Sequence, residues 1–151
     1  NVILIGSSAG AEAALHATYH IQADGIQGVV SIAGAMEPKP QLVSSIPLLA
    51  IHGVCDELVP YGSGIHHFCP EDSPGALLLH GGGALAEYLP NTRLISYVDR
   101  GHELSSELLA DSATLDAVEL FIRDILSNSP ISRFTEIPSQ QKTPCTPSHP
   151  H

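Results

Sequence analysis

The apolar positions of this chain fall into short continuous runs separated by stretches of a different period. Residues 2–6, 29–33, 48–52 and 93–98 are such runs, built on Val2-Ile3-Leu4-Ile5, Val29-Val30, Leu48-Leu49-Ala50-Ile51 and Leu94-Ile95. A continuous apolar run describes a strand covered on both faces, as in a parallel sheet. Between the runs, residues 9–20 are Ala-rich and favour a helix. Pro38 and Pro40 mark a loop, with one helical turn expected at 41–45. Residues 60–83 form a long excursion rich in Gly, Pro and His, and residues 84–89 a short helix ending at Pro90. The last helix carries Leu115, Val118, Ile122 and Ile125 at helical spacing, with Phe121 and Leu126 beside them. Asp116, Glu119, Arg123 and Asp124 take its other face, and Glu119 and Arg123 form an i,i+4 pair. Residues 128–151 are rich in Pro, Ser, Thr and Gln and lack a period, so a disordered tail is expected there. Strands alternating with helices imply right-handed crossovers and an α/β fold with a parallel sheet flanked by helices.

Composition narrows this picture. At 151 residues the chain has the size of one ordinary domain, and 43 % hydrophobic residues can build its core. Six basic against sixteen acidic residues give a net charge of −10. That balance argues against nucleic acid or an anionic membrane as the main partner, and disfavours highly anionic substrates. No apolar run approaches the length of about 18 residues that a membrane-spanning helix needs. A buried strand that begins at the first residue needs neighbours, so the chain is expected to be the C-terminal piece of a longer protein. Any leader would then precede it, which leaves the compartment open. Cys55, Cys69 and Cys145 lack CxxC spacing, and either a Cys55–Cys69 disulfide or three free thiols fits the sequence.

In a parallel α/β sheet, ligands bind outside the carboxyl ends of the strands, so the residues that follow each strand matter most. The first strand runs into Gly6-Ser7-Ser8-Ala9-Gly10, a G-x-S-x-G turn between a strand and a helix. A nucleophilic Ser at the tip of a sharp turn needs small neighbours, and the helix that follows favours developing negative charge. Ser8 is the candidate nucleophile, with the backbone N–H of Ala9 as an oxyanion donor. The third strand runs into His52-Gly53-Val54-Cys55-Asp56-Glu57, and the fourth into Asp99-Arg100-Gly101-His102. Asp56 suits the carboxylate that orients a histidine, with Glu57 as its weaker competitor. His102 suits a general base, and Asp99 lies too near it in sequence to be its obvious partner. His66, His67, Cys69, Glu71, Asp72 and His80 are metal-ligand types gathered in one loop, where a solvated surface is the favoured reading. His149 and His151 lie in the tail and are set aside.

Ser8, Asp56 and His102 each follow a separate strand, in the chain order of the α/β-hydrolase fold. On these motifs residues 1–127 resemble the C-terminal portion of an α/β-hydrolase, from the family's strand 5 to its strand 8. The nearest branch is that of small esterases and lipases. The resemblance implies a Ser-His-Asp triad, an acyl-enzyme intermediate and a small-molecule ester substrate, with neither cofactor nor metal. A serine peptidase, a thioesterase or a non-catalytic binding module of the same fold are the alternatives. The family's second oxyanion donor comes from a segment that would precede residue 1. His80-Gly81-Gly82-Gly83 looks like that segment but lies on the wrong side of Ser8, so it is read as a glycine turn leading into a helix. The short connection at residues 34–46 leaves little room for a large lid, which favours small soluble esters over lipid surfaces. A chain of these 151 residues alone is expected to be unstable and nearly inactive, because it exposes a strand edge and lacks one oxyanion donor.

Overall fold

A computed structural model describes residues 2–39, 44–66, 70, 72–131 and 133–137. The four expected strands are present as β1 (Val2–Ser7), β2 (Ile26–Ile32), β4 (Leu48–Gly53) and β7 (Thr92–Tyr97). Together with β8 (Arg133–Ile137) they form one parallel sheet in the order β1-β2-β4-β7-β8. The helices are α1 (Ala9–Leu15), extended by a π-helical turn over His16–His20, then α2 (Gly82–Tyr88), α3 (Leu104–Glu107) and α4 (Ser112–Leu126).

Neighbouring residues on the central strands point to opposite sides of the sheet, and both sides are covered. Val29, Leu48, Ala50 and Leu94 pack with Leu15 and Tyr19 behind α1 and with Leu85 of α2. Val30, Ile32, Leu49 and Ile51 pack on the other side with Leu104, Leu108 and Phe121. This is why the central strands read as unbroken apolar runs: a three-layer α/β/α arrangement has no solvent face for a polar residue to occupy.

β1 stands at one end of this sheet beside β2, and Val2 and Ile5 are 50 % and 52 % exposed, as the expected open strand edge requires. Other expectations are corrected by tertiary position. Within the stretch expected to be a disordered tail from residue 128, β8 pairs with β7 in parallel register from Arg93↔Arg133 to Tyr97↔Ile137, and Ile131 ahead of it is buried in the core, while residues 138–151 lie outside the described residues. The backbone groups along the open edge of β7 supply β8 with hydrogen-bond partners that no local composition signal reports. The Gly-rich excursion holds a second, antiparallel sheet of β3 (Ala35–Met36), β6 (Leu78–Gly81) and β5 (Ser63–Ile65), in that order. Of the helical turn expected at 41–45, residues 41–43 lie outside the described residues, and residues 44 and 45 are not helical.

The face of α4 also differs. Asp111 caps the helix by accepting from the Thr114 N–H at 2.8 Å. Thr114 and Phe121 are buried and Val118 and Ile125 pack beside them, whereas Leu115 and Leu126 face solvent. Asp124, expected on the polar face, turns inward to pair with Arg93 of β7, a side chain only 5 % exposed. The Nε and Nη1 atoms of Arg93 have no hydrogen-bond partner among the described residues, so Asp124 compensates most of this buried charge. Asp124→Ala is therefore expected to destabilise the protein by about 3–5 kcal/mol, and Arg93→Met with Asp124→Leu to recover most of the loss. Urea unfolding of the two variants measures both.

Candidate active site

β1 delivers Ser8 into a turn that ordinary residues avoid. Its backbone has φ 52° and ψ −126°, and its N–H donates to the Ile32 carbonyl at 2.9 Å. Only glycine fits at Gly6, because a Cβ there would lie 2.3 Å from the Gly10 carbonyl oxygen. Gly10 is different: a Cβ at that position would meet open space, so the second glycine of the motif is not required sterically. Ser7 closes the turn by donating its hydroxyl to the Ser105 carbonyl. Ala9 is the first residue of α1, so its N–H lies at the helix N-terminus, one residue after Ser8.

β4 ends at Gly53, where a Cβ would lie 2.2 Å from the Arg100 carbonyl oxygen. That missing side chain lets the loop after β4 and the loop after β7 touch. Asp56 sits in the first loop with its side chain fully buried. Its Oδ1 accepts from the backbone N–H groups of Leu58 and Val59 at 2.9 and 2.8 Å. Its Oδ2 meets His102 Nδ1 at 2.8 Å and His52 Nε2 at 3.3 Å. Burial pushes the Asp56 carboxyl up, but the donors from His52, Val59 and His102 outweigh it and hold the group below the usual carboxylate range.

His102 lies in the loop after β7. Its Nε2 faces Ser8 Oγ at 2.9 Å. With Nδ1 protonated toward Asp56, the Nε2 lone pair is free to accept the Ser8 proton. The loop is braced by Glu103, which accepts from the Gly101 N–H and from Arg100 Nε at 2.9 and 2.8 Å. Three residues distant in sequence thus form one continuous hydrogen-bonded line from a hydroxyl to a buried carboxylate. Such a line can raise the nucleophilicity of the hydroxyl and shuttle its proton.

Among the carboxylates considered beside Asp56, Glu57 is exposed, and the one on His102 Nδ1 is Asp56 rather than Asp99. The Gly81-Gly82-Gly83 run packs on the loop after β4: Cβ atoms on Gly81 and Gly83 would lie 1.8 Å from the Pro60 carbonyl oxygen and 2.5 Å from the Tyr61 ring. This agrees with a glycine turn into α2. Among the described residues no group of three or more His, Cys, Asp or Glu is arranged to hold a metal ion. His67, Cys69 and Glu71 lie outside those residues. Cys55 is disulfide-bonded, and Cys69 and Cys145 lie outside the described residues. No helix among the described residues is long and apolar enough to cross a membrane.

Two residues at the site were given no role from the sequence. His52 ends a hydrophobic strand, and a buried polar residue at that place is the signal that could have found it. Glu12 lies one helical turn after Ser8, and its Oε1 is buried without a hydrogen-bond partner among the described residues. Burial pushes the Glu12 carboxyl up, opposed by the nearby imidazoles of His66 and His102. A carboxyl raised in the folded state favours folding below its unfolded value of about 4.3, and that contribution is lost as pH rises through the folded value. Glu12→Gln is therefore expected to stabilise the protein at neutral pH by about 1 kcal/mol, the low end for a buried acceptor without a partner. Thermal unfolding at neutral pH and again near pH ~4 checks this, with the gain smaller at the lower pH.

A mainly parallel sheet flanked by helices is consistent with a partial α/β-hydrolase fold. A family model described as phospholipase/carboxylesterase matches residues 1–67, and the chain is related to the α/β-hydrolase superfamily. The matched span includes the Ser8 turn and the Asp56 loop and stops before His102. No match was found among curated proteins or among solved structures.

Proposed function

We propose that the protein hydrolyses carboxylic esters as a serine hydrolase, with Ser8, His102 and Asp56 as its catalytic residues. The observation that carries this reading is the unbroken line Ser8 Oγ–His102 Nε2 and His102 Nδ1–Asp56 Oδ2, at 2.9 and 2.8 Å. The kinship to hydrolases supports hydrolysis in general, and the description of the matching family supports an ester as the bond cleaved.

Ser8 Oγ attacks the ester carbonyl while His102 Nε2 takes the hydroxyl proton. The Ala9 N–H donates to the oxyanion that forms, and Asp56 keeps the imidazolium oriented and compensated. Collapse of the tetrahedral species breaks the ester C–O bond, and His102 passes its proton to the leaving alkoxide. Water, deprotonated by His102, attacks the acyl-Ser8, and the carboxylic acid leaves as the proton returns to Ser8. The catalytic portion is assigned to residues 1–127, with Ile131 and β8 extending its core and sheet.

The test is hydrolysis of p-nitrophenyl acetate and butyrate by the full-length protein, together with labelling of Ser8 by a fluorophosphonate. Turnover with labelling supports the reading. Labelling without ester turnover redirects it to a peptidase or a thioesterase, and absence of both in the folded protein redirects it to a binding module.

A further inference from the structure

The hydrogen-bonded line does not end at Asp56. His52, the penultimate residue of β4, is 1 % exposed and packs directly behind the loop that holds the carboxylate. Its Nδ1 accepts the backbone N–H of Gly82 at 3.1 Å. A nitrogen that accepts carries no proton, so the neutral ring holds its proton on Nε2. That Nε2 faces two acceptors, the Val59 carbonyl at 3.2 Å and Asp56 Oδ2 at 3.3 Å. Val59 in turn donates its own N–H to Asp56 Oδ1 at 2.8 Å. One imidazole N–H therefore clamps both the carboxylate and the peptide that holds the carboxylate's other oxygen.

We propose that His52 is a positioning residue that locks the Asp56 carboxylate in the orientation His102 requires; this rests on the ester-hydrolase reading above. Rotation about the Asp Cβ–Cγ bond is soft and roughly two-fold, so hydrogen bonds must set the carboxylate plane. The two backbone donors hold Oδ1. His52 holds Oδ2 together with His102, so the oxygen stays in place when His102 becomes an imidazolium. The two histidines have opposite tautomers and share one acceptor atom.

The surroundings fit this role. A Cβ on Gly82 would lie 3.1 Å from His52 Cβ and 3.3 Å from its Nδ1, so a side chain at Gly82 would crowd the imidazole. Tyr61 meets the His52 ring edge-on, with centroids 5.7 Å apart, and its hydroxyl shares a 2.6 Å hydrogen bond with Ser96 Oγ on β7. The glycine run that resembled an oxyanion loop is thus the backing of the acid loop.

Two substitutions separate the contacts of His52. Asn places its amide near the Nδ1 position and can still accept from Gly82, but it does not reach Asp56. Gln extends to the Nε2 position and can still donate to Asp56. In the full-length protein, His52→Asn is expected to lower both kcat for p-nitrophenyl butyrate and the rate of fluorophosphonate labelling of Ser8 by about 10- to 100-fold, with KM nearly unchanged. His52→Gln is expected to restore most of both rates. A folded His52→Asn with wild-type rates overturns the positioning role alone, as does an equal loss in the two variants. Absence of turnover and of labelling in the wild type overturns the ester-hydrolase reading, and this inference with it. Should His52→Asn fail to fold, histidine 15N chemical shifts of the wild type decide. They are expected to show His52 protonated on Nε2 and His102 on Nδ1, and a proton on His52 Nδ1 overturns the clamp.

Discussion

Replacing Ser8 with Ala is expected to lower kcat for p-nitrophenyl esters by about 10⁵- to 10⁶-fold while leaving the fold intact. The side chain lost is the atom that attacks, and His102 then has no proton to take. Ala keeps the Cβ and therefore the backbone strain at φ 52°, so the unfolding midpoint stays close to that of the wild type. Ser8→Gly separates the two effects. It loses the same activity, but it relieves a conformation that typically costs about 1–3 kcal/mol, so it is expected to raise stability by an amount of that order. His102→Ala combined with Ser8→Ala is expected to cost little more than either alone, because the two residues act in one step. Initial rates, labelling and urea unfolding of these variants and of His102→Ala alone provide the measurements. Retained turnover in Ser8→Ala would place the chemistry elsewhere.

Asp56→Asn is the second large effect. The carboxylate accepts at both oxygens: two backbone N–H groups at Oδ1, and the His102 Nδ1–H at Oδ2, which His52 Nε2 also faces at 3.3 Å. An amide offers one oxygen and one NH₂, so one pair of donors must face another donor. If the oxygen stays with Leu58 and Val59, the NH₂ faces His102, which can accept it only by moving its proton from Nδ1 to Nε2. His102 then cannot take the Ser8 proton, and kcat is expected to fall by about 10⁴-fold. The same mismatch in a fully buried site is expected to cost about 3 kcal/mol of stability. The pH dependence of stability has a definite sign. The Asp56 carboxyl is held below its usual value, so its contribution is present above the unfolded value of about 3.9 and is lost as pH falls through the folded value. Acidification below pH ~4 is thus expected to destabilise the wild type more steeply than Asp56→Asn, as read from urea midpoints across that range.

How much of this was legible in the sequence follows from the range of each signal. The parallel strands were legible because a strand covered on both faces must be apolar at every position, and that requirement is written locally. The candidate residues were legible because each directly follows such a strand, and Gly6 records a close approach only five positions wide. Ser8, Asp56 and His102 could therefore be singled out before any contact was known. Their separations of 94 and 46 residues, by contrast, are closed only by the order of the strands in the sheet.

Other features depended on partners that no local pattern encodes. Asp124 reads as a surface residue until Arg93 is found buried beneath its helix. The run Arg133-Phe134-Thr135-Glu136-Ile137 reads as part of a polar tail until the edge of β7 offers it hydrogen bonds. Glu12 reads as one more helix carboxylate until its Oε1 is found buried near two histidines. His52 reads as the end of a strand until Gly82, thirty residues on, donates to its Nδ1 and turns its proton toward Asp56. By itself, the sequence determined the class of fold, the strands β1, β2, β4 and β7 and the ordered trio of candidates at their carboxyl ends, because those rest on periodicity and on steric demands between near neighbours. The tertiary structure alone decided which carboxylate meets His102, which face of α4 is buried and what clamps the acid, because those rest on hydrogen bonds between residues that only folding brings together.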